Sequence, residues 1–324
     1  MMNCVSLLHV PAVILLGLAL AGPFESAAPG ARHGMAMADN PSLRHVARQR
    51  GSAQAVRPCA GLATVEHGQI FYDVSGSGPP VVLLHAGVAH SRMWDEQVKV
   101  FSRRHTVVRY DLRGFGRSPA ASGSFAHYRD VSDLLTMLGI DKAHLVGLSF
   151  GGRVAIDFAL AYPDKVRSLV LASAAIGGAE PSAEMREYDR QESALLEKGD
   201  RERAADLNVR TWVVGHGRSP AAVPLGIRTA VRTMQLENYA VSSSVEAKSV
   251  RLDPPAITRL EQIHVPTLVL VGDRDMAWFQ ELAQTLARRI PGAEKRGIPN
   301  VAHMINLEQP DLFDRLVQEF LAKH

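Results

Sequence analysis

A chain of 324 residues with 46% hydrophobic and 21% charged residues has the balance of a globular enzyme, which excludes a disordered or collagen-like polymer. Its net charge of +3 is small, and its basic residues are dispersed except for a stretch over 32–57. With no G-x-x-x-x-G-K-S/T loop and no G-x-G-x-x-G after a first strand, this argues against nucleic acid and nucleotides as partners.

The first distinct segment is apolar, over 10–20, and too short to span a bilayer, so no stable membrane insertion is expected. Ala19 and Ala21 follow in an A-x-A arrangement, and residues 1–28 read as a signal peptide that would export the protein. No Lys or Arg precedes the apolar run, which supports the alternative of a cytoplasmic protein starting at Met35 or Met37. Residues 29–62 lack apolar periodicity and read as a flexible arm, because they cannot bury enough surface to offset their ordering entropy. Cys4 and Cys59, the two cysteines, both precede the region that reads as folded, so no disulfide framework is expected; removal of the signal would leave Cys59 a lone thiol.

Folding is expected to begin with short alternating runs over 63–67 and 69–75, an antiparallel hairpin closed by Gly76-Ser77-Gly78-Pro79-Pro80. The continuous apolar run 81–85 predicts a strand buried on both faces. Helix 94–101, strand 106–110, helix 128–138, strand 143–146, helix 151–162 and strand 168–172 follow. This alternation predicts a doubly wound, mostly parallel sheet. The rhythm breaks over 177–253, where 184–198, 201–214 and 225–241 have helical spacing, and the stretch reads as an inserted helical cap. Strand 267–271, helix 278–290, strand 293–297 and helix 310–321 complete a core expected over 63–176 and 254–324.

The strongest chemical signal is Gly147-Leu148-Ser149-Phe150-Gly151, a G-x-S-x-G pentapeptide between a predicted strand and a predicted helix. So sharp a turn strains the serine and leaves no room for side chains two residues to either side, which pushes the hydroxyl out of the sheet. The helix that follows aims its free amides and dipole at the charge that would develop there. A serine hydroxyl needs a neighbouring base, and of the 13 histidines His303 lies where one can reach back over the sheet edge, after the last strand. The imidazole in turn needs a carboxylate. Asp273 and Asp275 both follow strand 267–271; Asp275 is favoured because it lies further out on the loop, and Asp273 reads as a turn residue.

An oxyanion requires two backbone N–H donors, one from the residue after the nucleophile and one from the loop after strand 81–85, which nominates Phe150 and Gly87. His85 is expected to brace that loop rather than transfer protons, and the glycine-rich run 111–118 reads as a structural loop.

The ordered segments VVLLHAGVAHSRMWD, YDLRGFGRS, HLVGLSFGG, PTLVLVGDRD and NVAHMINLEQP resemble the successive motifs of the α/β-hydrolase superfamily from about residue 63 to the end. Within it, the chain is similar to small capped esterases and enol-lactonases, such as the 3-oxoadipate enol-lactonase group, and to their cofactor-free haloperoxidase relatives. It departs from haloalkane dehalogenases and epoxide hydrolases, which carry aspartate where this chain has Ser149. His85-Ala86-Gly87-Val88 also differs from the oxyanion loops of proline iminopeptidases and of C–C hydrolases. The resemblance implies an α/β-hydrolase fold and two-step acyl transfer from a small ester or lactone, with no cofactor and no metal. A perhydrolase using the same three groups, and a non-catalytic small-ligand receptor, are the rival readings.

Overall fold

The computed structural model describes residues 58–241 and 248–324. The expected signal peptide, most of the expected arm and residues 242–247 of the expected cap lie outside the described residues. The strands are β1 (Cys59–Val65), β2 (Gly68–Ser75), β3 (Pro80–Leu84), β4 (Thr106–Tyr110), β5 (Ala143–Leu148), β6 (Val166–Ala172), β7 (Thr267–Gly272) and β8 (Glu294–Ile298). Between and after them run α1 (Asp95–Phe101), α2 (His127–Met137), α3 (Phe150–Ala161), α4 (Ala183–Glu197), α5 (Arg201–Asn208), α6 (Leu225–Ala240), α7 (Ala277–Arg289), α8 (Ile305–Glu308) and α9 (Pro310–Leu321).

The strands form one sheet in the order β1-β2-β4-β3-β5-β6-β7-β8, antiparallel across its first two pairings and parallel thereafter. Side chains of successive strand residues point to opposite faces, so Val81 and Leu83 enter one buried apolar cluster and Val82 and Leu84 the other. Helices α2, α3 and α7 cover the second face, and α1 and α9 cover the first. Each Val or Leu so buried contributes roughly 1.5–3 kcal/mol relative to exposure, which is why an unbroken apolar run suits a central strand.

Strand order reverses between β3 and β5, which pair directly through Leu84 and Gly147. At such a reversal the two following loops diverge to opposite faces and leave a crevice at the carboxyl ends of the strands. The loop after β3 carries Gly87 and the turn after β5 carries Ser149, so both expected residues follow the carboxyl ends of two paired strands.

Two expectations need correction. Strand β1 starts at Cys59, four residues inside the expected arm, so Cys59 belongs to the folded region, where it is exposed. Residues 59–62 pair with Phe71–Val74 through their backbone but bury almost no side chain, so their hydrophobic pattern carries no strand signal. The helix expected over 201–214 also breaks. α5 ends at Asn208, whose buried side-chain amide donates to Ala204 O, Glu192 and the Tyr239 hydroxyl, and the chain continues through Val209–Val214 as a π-helical turn. Between β6 and β7 the described residues form helices, with one isolated bridge between Phe125 and Ser249.

Candidate active site

At the tip of β5, Ser149 has φ 56° and ψ −112°, a left-handed conformation that costs a non-glycine residue on the order of 1–3 kcal/mol. Its surroundings are tightly packed backbone. A Cβ on Gly151 would overlap the Leu84 carbonyl oxygen, and one on Gly147 would overlap the Gly151 carbonyl. The glycines therefore let α3 start against the ends of β3 and β5. The Ser149 N–H donates to Ala172 O (2.9 Å), and its carbonyl accepts from Arg153 N and Ala175 N (3.1 Å each), which fixes the turn from both sides.

The acid and the imidazole arrive from the far side of the sheet. Asp273 N donates to Ile298 O and Arg274 N to Val301 O, both at 2.9 Å, stitching the loop after β7 to the loop after β8. A Cβ on Gly272 would overlap Ala302 O, so this approach also depends on a glycine. The result places both Asp275 oxygens, at 3.0 and 2.9 Å, on His303 Nδ1, which donates to them. Asp275 Oδ1 also accepts from Met276 N at 2.8 Å. Both residues are buried, whereas Asp273 faces solvent beside Arg274. Of the two carboxylates weighed from sequence, the structure brings Asp275 to the histidine.

The Trp212 and Phe279 rings pack against the imidazole, with centroids 4.8 and 4.4 Å from it, and against each other at 5.7 Å. Its backbone is held one residue earlier. Ala302 N donates to Glu308 Oε1 (2.9 Å), and Glu308 is itself clamped by Arg218, with Arg218 Nη2 to Oε2 at 2.6 Å. With Nδ1 committed as donor, Nε2 is left to accept a proton. Among the described residues no hydrogen bond joins the Ser149 hydroxyl to His303; such contacts are often long before a substrate closes the site.

In the loop after β3, a Cβ placed on Gly87 would lie 3.7 Å from the Phe150 Cβ, so the two nominated residues are neighbours. Phe150 is the first residue of α3, where backbone N–H groups lack intrahelical partners. His85 braces the loop as expected: Nδ1 donates to Ala86 O (2.8 Å) and Nε2 accepts from Leu112 N (2.9 Å). Burial pushes its pKa down to about 4, so it is neutral at neutral pH with both nitrogens occupied. The run 111–118 is structural as expected. Asp111 accepts from Ser91 N (2.8 Å) and Arg117 N (2.9 Å), and Ser118 Oγ bonds Asp111 O and Phe71 N.

Sequence reasoning missed two groups. Arg153, one turn into α3, is largely desolvated, and burial lowers its pKa despite Asp157 at 3.7 Å. Asn238, near the end of α6, hydrogen-bonds both the loop after β3 and the loop after β4. Neither has a local signature, since an arginine or asparagine on an amphipathic helix reads as a solvated residue.

The sequence matches the alpha/beta hydrolase fold family over residues 79–310. It is 29% identical over 273 residues to a putative 2-succinyl-6-hydroxy-2,4-cyclohexadiene-1-carboxylate synthase of Bacillus subtilis (strain 168), covering 80% of this chain and 97% of the relative. It is 25% identical over 251 residues to carboxylesterase YbfK of the same organism, covering 75% and 80%. Among solved structures, Est816, an N-acyl homoserine lactone degrading enzyme, superposes with a TM-score of 0.64 at 27% identity, covering 80% of this chain and 100% of that one.

Proposed function

The chain belongs to the α/β-hydrolase fold family, and on that premise we propose that it hydrolyses a carboxylic ester or lactone of a small molecule through an acyl-enzyme on Ser149. The observation that carries this reading is the Asp275–His303 hydrogen bond, which holds Nδ1 protonated at the same sheet edge as a serine in the strained strand-to-helix turn. The activities of similar proteins, a carboxylesterase and a lactone-degrading enzyme, agree with it.

In the first step Ser149 Oγ attacks the carbonyl carbon while its proton passes to His303 Nε2. The Gly87 and Phe150 N–H groups receive the oxyanion, and Asp275 stabilises the imidazolium. The C–O bond then breaks and the leaving oxygen takes the proton from His303; in a lactone that oxygen stays tethered to the acyl group. Water attacks the acyl-enzyme with His303 again as base, and Ser149 leaves with the returned proton. The helices between β6 and β7, with Trp212 against the imidazole, act as a cap that roofs the acyl site.

A graded panel of p-nitrophenyl esters and small lactones, run with wild type and Ser149→Ala side by side, tests this. Turnover by wild type, its loss in Ser149→Ala, and covalent labelling of Ser149 by a fluorophosphonate are expected. Equal turnover by the two proteins would overturn it.

A further inference from the structure

Two consecutive residues of α6 hold two consecutive residues of the loop that carries Gly87. Asn238 is buried, and its Nδ2 donates to Ala89 O at 3.0 Å, while its Oδ1 accepts from Gly116 N at 2.9 Å. Glu237 Oε2 lies 2.7 Å from Nε2 of the buried His90. The span 86–89 is a turn closed by Ala89 N donating to Ala86 O at 3.1 Å, with Gly87 inside it. His85 fixes the start of this turn through Ala86 O, and Asn238 fixes its end through Ala89 O. The apolar packing runs the same way, since Ala86 and Ala89 share a buried cluster with Val231 and Met234 of α6 and with Val213 of the π-helical turn.

We propose that Asn238 is a positioning residue for the oxyanion site. Its two hydrogen bonds set the turn that aims the Gly87 N–H, so the helix α6 and the anion-stabilising loop behave as one piece. This rests on the acyl-transfer reading above. The physical reason is that a backbone donor stabilises developing charge only when held in place before the reaction, and a loop anchored at one end can swing. The side chain is suited to the task because a primary amide offers a donor and an acceptor on one rigid group, and it meets a carbonyl on one loop and an N–H on the other.

Asn238→Asp keeps the volume and the acceptor for Gly116 but faces the Ala89 carbonyl with a second oxygen. Asn238→Ser can donate and accept but is too short to reach both partners from the same backbone position. For each folded variant, kcat and KM on p-nitrophenyl butyrate are measured alongside the inhibition constant of a trifluoromethyl ketone of matching acyl length. Addition of Ser149 to that ketone forms an oxyanion without turnover. Expected is a fall in kcat of roughly tenfold to a hundredfold with KM changed less than about threefold. The ketone should weaken by the same factor as kcat/KM falls, since both report the same anion. A lowered melting temperature with kcat and ketone affinity unchanged would overturn the proposal, as would a rise in KM alone. Failure of both variants to fold would also overturn it, by making Asn238 a structural pillar. If wild type neither turns over the ester nor takes a fluorophosphonate on Ser149, the acyl-transfer reading itself has failed.

Discussion

Asp275 meets His303 Nδ1 with both of its carboxylate oxygens, at 3.0 and 2.9 Å, in a buried setting where no competing cation lies within salt-bridge range among the described residues. An amide in its place can offer an N–H to the ring and favour the wrong tautomer. Asp275→Asn should therefore lower kcat by on the order of 10²–10⁴ with little change in KM. Asp273→Asn, altering a solvent-facing group, should stay within about threefold, and steady-state ester kinetics on both variants checks the pair.

The strain at Ser149 has a thermodynamic signature. Glycine adopts φ 56° without the clash that serine suffers, so Ser149→Gly should abolish turnover and yet match or exceed the wild-type stability, by up to about 1 kcal/mol. Urea unfolding midpoints of the two proteins provide the comparison, and a clearly less stable glycine variant would contradict it.

The pair behind the histidine loop should behave oppositely. Arg218 and Glu308 are largely buried, and Glu308 also receives the Ala302 N–H. Glu308→Ala leaves a buried guanidinium and a backbone donor without partners, with an expected cost of about 3–5 kcal/mol. Replacing both partners, as Arg218→Met with Glu308→Leu, should recover part of that loss in chemical unfolding.

His85 contributes to the pH dependence of stability alongside His127 and His144, whose pKa values burial also lowers, to about 3 and about 4. Burial lowers the folded pKa of His85 to about 4, so between that value and the ordinary histidine range the unfolded chain binds more protons than the folded one. Its contribution is present above the unfolded pKa and is lost as pH falls through this window, by roughly 2 kcal/mol between pH 7 and pH 5. His85→Asn retains a donor for Ala86 O but does not titrate. The difference in unfolding free energy between pH 7 and pH 5 should shrink by about that amount in the variant; an unchanged difference would remove His85 as its source.

Much of this architecture was legible from local pattern. The apolar runs at β3, β5, β6 and β7 announce strands buried on both faces because two layers of helices must cover them. The G-x-S-x-G segment announces its turn because only glycine fits where Gly147 and Gly151 meet neighbouring backbone. What escaped has a common cause: β1 at Cys59 is held by backbone pairing without side-chain burial, and α5 stops at Asn208 because of bonds to residues on α4 and α6. Neither leaves a trace within a short window.

From the residue order alone came the fold class and the strained turn at Ser149, since these depend on local sterics and on hydrophobic period, while the expected order of serine, acid and histidine came from the resemblance to the α/β-hydrolase superfamily. Tertiary structure decided between Asp273 and Asp275, by which of the two the β7–β8 loop stitching turns inward. It alone joined Asn238 to Ala89, across 149 residues of chain. Hydrogen bonds are directional and short, so a partner that distant becomes defined only once the sheet and helices have been packed around it.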